Sequence, residues 1–382
     1  MITYGRAAAV INLSHIANNI GVIRKMITPK TRIMAVVKAN GYGHGIYEAT
    51  RAAVNAGADW IGVATVTEGV FLRRLGIMTP ILVLSPVFEE EYENVILNNL
   101  IFTIFSLETA RQLAHVAGYL EKNARVHIKV DTGMNRVGYN VQSDEATAAT
   151  ADEIMEISRL AGVELNGIYS HLATSDSDAA FAREQFANFM NIIGILESNG
   201  LHIPMKHISN SGATLRHPEF NLDMVRCGVL TYGLAPNSLR EGALELVDLG
   251  FLPALTIKSR IAHVKTVKEG QSVGYSRNYF AKTDIRVATV PLGYADGLSR
   301  QLSNCGKVLI NGNYCDIIGN VCMDQFMVDV TGVDVKVRDE VVIVGESGGK
   351  RILPEDVALI QRTINYEVAT SISERVARFY IT

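Results

Sequence analysis

Eight short apolar runs alternate with amphipathic stretches in the chain from residue 31 to about residue 230. The runs are rich in β-branched residues and comprise Arg32–Val37, Trp60–Ala64, Ile81–Leu84, Ile101–Ile104, Val126–Val130, Leu165–Tyr169, Met205–Ile208 and Leu222–Val225. Continuous apolar runs that alternate with helices indicate a parallel sheet covered on both faces. Eight such units predict an α/β fold, a (β/α)8 barrel of the TIM type, with a doubly wound open sheet as the alternative.

Amphipathic segments separate these runs, and their apolar residues recur at helical spacing. The predicted helices are Tyr47–Asn55, Glu89–Asn98, Leu107–Leu120, Asp152–Leu160 and Phe181–Leu196.

After about residue 245 the pattern changes to alternating apolar and polar residues, which is typical of antiparallel strands. The predicted strands are Ala254–Val267, Asp284–Val290 and Asp339–Val344, and a short helix is predicted at Pro354–Gln361. Lys307–Ile318 resembles a hairpin, because Asn311–Gly312 supplies the positive φ angles of a tight turn. We therefore predict a mostly antiparallel β domain after the barrel.

A chain of 382 residues exceeds what one hydrophobic core usually supports, so two domains are expected. The change of pattern places them at residues 1–245 and 246–382. The path of the first residues is left open, and they could pair with the second domain.

Composition argues against several classes of function. A formal charge of −3 with scattered basic residues gives no reason to expect a nucleic-acid partner. The few, irregularly spaced cysteines predict reduced thiols and neither a disulfide framework nor a metal site; they are Cys227, Cys305, Cys315 and Cys322. The sequence carries no secretory signal pattern and no apolar run of the roughly 18 residues needed to span a bilayer. We therefore expect a cytoplasmic protein.

Functional residues of such barrels lie just after the C-terminal ends of the strands. Polar and charged residues recur at these positions, namely Lys38, Thr65, Ser85, Lys129 with Asp131, His171, His207 with Ser211, and Arg226 with Gly228. This repetition predicts a site at one end of the barrel.

Lys38 is the most informative of them, because it ends a buried strand and precedes a glycine-rich turn, Asn40–Gly45. Burial disfavours the ammonium form and lowers its pKa, as a Schiff-base lysine requires. A lysine that reaches solvent is the alternative. The glycine spacing G-x-G-x-G is a weak match to a dinucleotide-binding loop.

Two small-residue loops predict where a phosphate would bind. Barrels of this kind commonly hold phosphate after strands seven and eight, where the sequence has Ser209–Ala213 and Arg226–Gly228. A Schiff-base lysine facing a phosphate cradle points to pyridoxal phosphate. An ordinary small-residue turn is the alternative.

Nine motifs, in order along the chain, resemble the alanine racemase family. They are VVKANGYGHG at 36–45, KVDTGMNRVG at 129–138, SHLATSD at 170–176, HISNSGATLR at 207–216, VRCGVLTYGL at 225–234, VGYSRNYF at 273–280, PLGYADG at 291–297, GNVCMDQFMVDV at 319–330 and NYEVATSISERVAR at 365–378. The resemblance implies interconversion of L- and D-alanine with pyridoxal 5′-phosphate, which supplies D-alanine for peptidoglycan. It also implies a homodimer with shared active sites.

The resemblance assigns the proton-transfer residues. Lys38 is similar to the lysine that forms a Schiff base with the cofactor and acts as one base. Tyr275 resembles the opposing base, which the partner subunit supplies. A tyrosine ordinarily has a pKa of about 10, so this role needs positive or hydrogen-bonding neighbours; the resemblance suggests His171 and Arg226. Arg226 also looks like the residue that keeps the cofactor's ring nitrogen unprotonated.

Substrate-binding and supporting residues follow from the same resemblance. Arg136, and Met323 and Asp324 of the partner subunit, resemble residues that bind the substrate carboxylate. Lys129 matches a lysine that is carbamylated in many family members. The resemblance also implies four phosphate ligands, which are Tyr42, Ser211, Gly228 and Tyr366. It places Tyr294 at the narrow entrance to the site and makes His207 a supporting hydrogen-bond partner.

Three other functions stay open from the sequence. They are a racemase of serine or of broader specificity, a decarboxylase of basic amino acids, and a non-enzymatic pyridoxal-phosphate-binding protein. Arg226 argues against the decarboxylase, which needs an acidic partner at the ring nitrogen. The binding protein would leave Tyr275 and the last third of the chain without a role.

Overall fold

The computed structural model describes residues 3–382 and divides into two compact units. One unit comprises residues 17–41 and 49–231, and the other comprises residues 3–16, 42–48 and 232–382. The predicted domains, 1–245 and 246–382, stay a prediction, since compact units alone do not fix a domain boundary.

The strands of the first unit are short and almost wholly buried. They are β2 (Arg32–Val36), β3 (Trp60–Val63), β4 (Ile81–Val83), β5 (Phe102–Ile104), β6 (Ala124–Asp131), β7 (Tyr139–Asn140), β8 (Val163–Tyr169), β9 (Met205–His207) and β10 (Met224–Cys227); β1 (Ala7–Asn12) belongs to the other unit. All but β7 match the predicted apolar runs to within three residues at each end.

These strands form two parallel sheets, β10-β2-β3-β4 and β5-β6-β8-β9, with β7 beside β6. The Val83 amide donates to the Ile101 carbonyl (3.0 Å), which joins β4 to the segment leading into β5. The Arg226 amide donates to the Ser209 carbonyl (3.0 Å), which joins β10 to the end of β9. Because both edges are joined, the eight principal strands close into the predicted barrel, and the open-sheet alternative is excluded.

Helices connect the strands, and five of them overlap the helical segments predicted between the barrel strands. The α-helical segments are α1 (Leu13–Met26), α2 (Lys38–Tyr42), α3 (Ile46–Asn55), α4 (Val66–Arg74), α5 (Tyr92–Leu97), α6 (Leu107–Tyr119), α7 (Asp144–Ile157), α8 (Ala179–Ser198), α9 (Ser211–Arg216), α10 (Arg240–Asp248), α11 (Pro354–Gln361) and α12 (Asn365–Thr370). Short 3-10 turns lie at Glu89–Glu91, Pro218–Phe220, Val229–Tyr232, Tyr275–Arg277, Tyr294–Asp296 and Arg300–Leu302. Side chains of Thr65, Ser106, Ser143, Asp178 and Asn210 accept amide hydrogens at the starts of five of these helices, where backbone donors lack an intrahelical partner.

The second unit is built on one mostly antiparallel sheet of ten strands. Its members besides β1 are β11 (Leu255–Arg260), β12 (His263–Val267), β13 (Ile285–Val290), β14 (Lys307–Ile310), β15 (Asn313–Ile318), β16 (Phe326–Asp329), β17 (Glu340–Ser347), β18 (Lys350–Ile352) and β19 (Ala377–Ile381). The order is β12-β13-β16-β15-β14-β17-β11-β1-β19, with β18 beside β17. β1 pairs antiparallel with β11 and parallel with β19, so the first strand joins the sheet of the last third.

Two predictions from local pattern need correction, and several helices were not predicted. The predicted strand Ala254–Val267 is two strands, because β11 pairs with β1 and β17 whereas β12 pairs with β13. Helix α7 begins at Asp144 and not at Asp152. Helices α4, α9, α10 and α12 were not among the predicted helices. The hairpin β14–β15 and helix α11 lie where they were predicted, with Asn311 and Gly312 at positive φ.

Candidate active site

Lys38 follows β2 and begins a left-handed turn. Ala39, Asn40 and Gly41 have φ angles of 52°, 54° and 61°, and α2 is therefore left-handed. Each non-glycine residue in this region costs about 1 kcal/mol, so the surrounding structure has to hold the turn in place. The Gly41 amide donates to the Val37 carbonyl (2.8 Å), which closes the turn at the strand end.

The Glu68 carboxylate holds this turn against the next loop. Its oxygens accept from the amides of Ala39 (2.7 Å), Ala64 (2.8 Å) and Thr65 (3.2 Å). The Thr65 hydroxyl accepts from the Glu68 amide, which completes a capping box at the start of α4. Sequence reasoning did not single out Glu68, although the T-x-x-E spacing of 65–68 is a signature that could have found the cap.

The pKa of the Lys38 ammonium is lowered, mainly by burial and then by the charge of Arg136, and only the Glu68 carboxylate opposes the shift. A lowered pKa increases the fraction of neutral amine at pH 7. The neutral amine is the form that attacks a carbonyl carbon, so Lys38 is suited to a Schiff base.

Four cations converge around His171 at this end of the barrel. Burial lowers the pKa of His171 well below its usual value, and the charges of Arg226, Lys129, Arg136 and Lys38 lower it further. His171 is therefore neutral at pH 7. A cluster of cations at one end of a barrel attracts an anionic ligand.

Lys129 lies inside β6 and is buried, whereas the sequence placed it after the strand. Its ammonium donates to the Val130 carbonyl (2.8 Å) and lies 5.3 Å from the centre of the Tyr169 ring. Burial, and then the charge of Arg226, lower the pKa of Lys129 to about 7. Near neutral pH, the Lys129 side chain is therefore a neutral amine in about half of the molecules.

Arg226 also lies within its strand, β10, and its guanidinium is buried. It donates to the carbonyls of Ser170 (2.7 Å) and Ile208 (3.1 Å) and lies 5.2 Å from the centre of the Tyr169 ring. Burial lowers the pKa of Arg226 to about 10, which still leaves it cationic at pH 7.

Arg226 fixes the tautomers of two histidines. It donates to Nδ1 of His207 (3.0 Å) and to Nδ1 of His171 (3.2 Å). A guanidinium cannot accept a hydrogen bond, so both Nδ1 atoms are unprotonated. Burial lowers the pKa of each histidine well below its usual value, so each is neutral and carries its hydrogen on Nε2.

Arg136 lies on a loop that Asp131 shapes. The Asp131 carboxylate accepts from the amides of Gly133 (3.0 Å) and Asn135 (3.0 Å), which turns the chain directly after β6. Gly133 has φ 138°, and a Cβ there would lie 2.9 Å from the Phe181 ring. The arginine is exposed on this turn, and its charge reaches Lys38 and Lys129.

The two loops predicted to bind phosphate lie against each other. The Gly228 amide donates to the Ser211 hydroxyl (3.0 Å), and Ser211 is the first residue of α9. The backbone packs closely here, since a Cβ on Gly212 would lie 2.6 Å from the Ser175 hydroxyl. A hydroxyl, a backbone amide and a helix start together suit a phosphate.

In the second unit, Tyr42 and Tyr366 are neighbours, with ring centres 6.2 Å apart. Tyr42 is buried, and its pKa is raised by burial and by Tyr366, so the hydroxyl stays protonated as a donor. The Tyr366 hydroxyl donates to the Pro236 carbonyl (3.3 Å).

Tyr275 is held by its backbone while its side chain is 71% exposed. The Asn320 amide side chain donates to the Tyr275 carbonyl (2.9 Å), and Ser276 and Arg277 follow with φ angles of 63° and 50°. An exposed tyrosine on a braced turn is suited to contact another molecule.

Tyr294, Met323 and Asp324 lie on two loops that pack together in the second unit. The amides of Tyr294 and Ala295 donate to the carbonyls of Cys322 (3.1 Å) and Met323 (3.0 Å). Tyr294 and Met323 are 44% and 53% exposed, so both present apolar surface beside each other. The Asp324 carboxylate is paired with Arg375 at 2.7 Å.

Comparison with known proteins decides the family. The alanine racemase N-terminal domain model matches residues 11–236, and the C-terminal domain model matches residues 254–380. Alanine racemase 2 of Caldanaerobacter subterraneus subsp. tengcongensis is 44% identical over 373 residues, which cover 97% of this chain and 94% of that protein. The chain belongs to the alanine racemase family.

Solved structures agree with this membership. The alanine racemase of Clostridium difficile 630 has 36% identity and a TM-score of 0.92, covering 100% of this chain and 97% of that one. The histidine racemase of Leuconostoc mesenteroides subsp. sake NBRC 102480 has 26% identity and a TM-score of 0.88, covering 100% and 99%. The family prediction is confirmed, and with it the isomerase class and the dependence on pyridoxal 5′-phosphate.

The sequence did not lead us to expect Tyr169 among the residues of the site. Its ring stacks on His207 with centres 4.8 Å apart, and the Lys129 amine and the Arg226 guanidinium both lie within 5.3 Å of its ring centre. Its hydroxyl lies 2.8 Å from that of Thr103. The only signal was an aromatic residue at the end of a buried run, which is usually an ordinary core residue.

Within residues 3–382, no group of three or more histidine, cysteine or acidic side chains is arranged to hold a metal ion. The helices of that same part of the chain are all too short or too polar to cross a membrane. The four cysteines are free.

Proposed function

We propose that this chain interconverts L- and D-alanine with bound pyridoxal 5′-phosphate and supplies D-alanine for peptidoglycan. Family membership supports the reaction and the cofactor. The observation that carries the assignment is the half-buried Lys38 amine at the end of β2, whose pKa is lowered and which lies near Arg136, Arg226 and Lys129, a basic surrounding that suits an anionic cofactor and an anionic substrate.

The residues present fit pyridoxal phosphate. Lys38 would hold it by a Schiff base, and Arg226 would face its ring nitrogen. The proposed phosphate ligands are Ser211, Gly228, Tyr42 and Tyr366. When bound, the group supplies an electron sink that acidifies the α-hydrogen of the amino acid.

Racemisation needs two proton-transfer groups on opposite faces of a planar carbon. We assign Lys38 to one face and Tyr275 of the partner subunit to the other. A neutral Lys38 amine can accept a proton at Nζ. The exposed, braced Tyr275 is suited to a site outside its own subunit, and a homodimer with shared sites is therefore part of the proposal.

We propose that His171 supports the tyrosine base. Its Nδ1 accepts from Arg226, so its Nε2–H is available to donate. A hydrogen bond donated to a phenolate lowers the pKa of the phenol, which is what a tyrosine needs to accept a proton near neutral pH.

Arg226 keeps its protons, because its pKa of about 10 lies well above neutral pH. It would donate a hydrogen bond to the ring nitrogen without protonating it. An unprotonated ring nitrogen withdraws electron density less strongly, which limits side reactions such as transamination.

Arg136, with Met323 and Asp324 of the partner subunit, is proposed to bind the substrate carboxylate. Tyr294 is proposed to line the entrance, and His207 to support Arg226. The neutral fraction of Lys129 is the form that reacts with carbon dioxide, so we also propose carbamylation of Lys129. A cytoplasmic location is expected of an enzyme with this product.

Incubation with L-alanine in deuterium oxide tests the function. We expect loss of optical rotation together with deuterium at the α-carbon. Lys38→Ala should abolish both and the visible absorbance of the bound cofactor, whereas Tyr275→Phe should keep the absorbance and lower the racemisation rate by about a hundredfold or more. Serine and histidine assayed in parallel measure specificity, since one added group changes selectivity by about 1–3 kcal/mol. Unchanged L-alanine would support the non-enzymatic binding protein, and gas release would support the decarboxylase.

A further inference from the structure

Three buried polar side chains form a row across the interior of the barrel. Arg226 on β10 donates to Nδ1 of His207 on β9 (3.0 Å), and Nε2 of His207 lies 2.9 Å from Nδ1 of His127 on β6. Both histidines have no exposed surface. The row leads from the cation cluster of the proposed site into the middle of the barrel.

The charge of Arg226 sets the direction of every hydrogen bond in this row. Because Nδ1 of His207 accepts from the guanidinium, the hydrogen of His207 is on Nε2 and is donated to Nδ1 of His127. His127 then carries its own hydrogen on Nε2. The reverse direction would leave His207 without any hydrogen, which is an imidazolate.

Both histidines stay neutral over the physiological range, so the direction does not change with pH. Burial, then the charges of Arg125 and Arg226, lower the pKa of His127 to about 3. Burial and the charge of Arg226 also lower the pKa of His207 well below its usual value. A proton added to either ring would place two donors face to face.

The His127 ring occupies space that the absence of a side chain at Gly167 leaves open. The pairing of β6 with β8 shifts register between Val126 and His127, so that Gly167 of β8 is paired with His127. A Cβ on the paired Gly167 would lie 2.5 Å from Cε1 of His127. The Trp60 ring also packs against His127, with ring centres 5.3 Å apart.

We propose that His127 is a positioning residue that holds the His207 ring in place by accepting its Nε2–H and, through that ring, holds the Arg226 guanidinium. The proposal rests on the proposed function, in which Arg226 faces the ring nitrogen of the cofactor. Without an acceptor at His127, the Nε2–H of His207 is buried without a partner. The ring would turn towards another acceptor, and the Nδ1 atom that accepts from the Arg226 guanidinium would move with it.

Nitrogen-15 NMR of the holoenzyme, with labelled histidine, tests the row directly. Protonated and unprotonated ring nitrogens differ widely in chemical shift, and the nine histidines can be assigned by substitution. We expect His127 and His207 as neutral Nε2–H tautomers from pH 6 to pH 8. A titrating ring, or an Nδ1–H tautomer at either position, would overturn the proposal without any reference to activity.

Two substitutions separate positioning from packing. In His127→Asn, the side-chain oxygen replaces Nδ1 as acceptor, so the His207 signals and kcat should stay within about twofold of the wild type. His127→Leu removes the acceptor, so the His207 signals should shift and kcat for alanine should fall by about tenfold. Trp60→Phe, which perturbs the same region without removing an acceptor, is the packing control.

The outcomes are distinct. Equal loss of kcat in His127→Leu and Trp60→Phe, or unshifted His207 signals in His127→Leu, would mean that His127 only fills space. If His127→Leu fails to fold, the tautomers of the wild-type protein and the behaviour of His127→Asn still decide the question. If wild-type protein with the expected tautomers leaves L-alanine unchanged, the proposed function fails and the hydrogen-bond row stands.

Discussion

At the scale of single residues, burial determines much of the chemistry at this site. Lys38, Lys129 and Arg226 are all strongly basic residues, and desolvation lowers the pKa of each one. The size of the shift separates their roles. Arg226 remains a cation at neutral pH, whereas Lys129 is a neutral amine in about half of the molecules.

The lowered pKa of Lys129 predicts a pH dependence of stability. The amine has a pKa of about 7 in the folded protein and about 10.4 when unfolded. Between these values the unfolded state binds the extra proton, so the free energy of unfolding rises with pH through this window. The expected slope for this group is about 1 kcal/mol per pH unit.

Urea unfolding at pH 7.5 and pH 9, in buffer free of carbon dioxide, measures this slope. Lys129→Met is the control, because it lacks the titrating amine and keeps a long apolar side chain. The free energy of unfolding of the wild type minus that of Lys129→Met should increase from pH 7.5 to pH 9. Parallel pH profiles for the two proteins would contradict a neutral buried amine at this position.

At the scale of elements, the sequence predicted best where local pattern and tertiary structure agree. The barrel strands were predictable because parallel strands buried on both faces are continuous apolar runs. Hairpin β14–β15 was predictable from one Asn–Gly pair. Helix α11, which starts at Pro354, was placed correctly because its turn signals are local.

Local pattern was insufficient to predict elements whose place depends on pairing between distant parts of the chain. The pairing of β1 with β11 and β19 joins residues about 250 and 370 positions apart, which no window of sequence reveals. The first two turns of α7 are rich in alanine, threonine and acidic residues, so apolar spacing found the helix only from Asp152 onwards. The His127 and Tyr169 side chains were missed because a polar or aromatic group in a buried run gives no sign of which strand it faces.

Two loops of the second unit depend on one buried carboxylate, Asp296. It accepts from the Arg6 guanidinium and from the Gly293 amide (2.9 Å), and Arg375 lies 3.6 Å away. Burial opposes its ionisation, but these bonds and charges outweigh burial and lower the pKa of Asp296. Arg375 in turn pairs with Asp324, so the carboxylate supports both loops that carry the proposed partner-facing residues.

Asp296→Asn should therefore weaken both stability and substrate binding. Loss of this buried charge leaves Arg6 and Arg375 without their common partner, and we expect about 2 kcal/mol of destabilisation after allowing for the partial exposure of Arg6. KM for alanine should rise as the Met323–Asp324 loop loosens. Urea unfolding and steady-state kinetics measure the two effects.

Asp316→Asn is the matched control, because it removes an exposed carboxylate paired with Lys307 in the same unit. Exposed pairs contribute about 0–1 kcal/mol, so stability and KM should hardly change. Equal effects of the two substitutions would show that Asp296 has no special supporting role.

At the scale of the whole molecule, the proposed catalytic groups are divided between the two units. The barrel unit carries Lys38, Lys129 and Arg226, and the second unit carries Tyr275. Tyr275, Tyr294 and Met323 leave much of their surface exposed, although large apolar side chains are usually buried. Such a patch is expected to be covered by another molecule, and a second copy of the chain is the proposed one.

Subunit complementation distinguishes a shared site from one complete within each chain. A heterodimer of Lys38→Ala with Tyr275→Phe contains one site with both wild-type residues if Tyr275 acts in the partner. It should therefore show about half the activity of a wild-type dimer, although each parent homodimer is inactive. A heterodimer of the wild type with the double variant Lys38→Ala/Tyr275→Phe is the control, since every shared site in it lacks one group. If each site used its own tyrosine, the pattern would be reversed, with about half activity in the control and none in the first pair. Purification through two different affinity tags isolates the heterodimers, and alanine turnover per dimer measures the result.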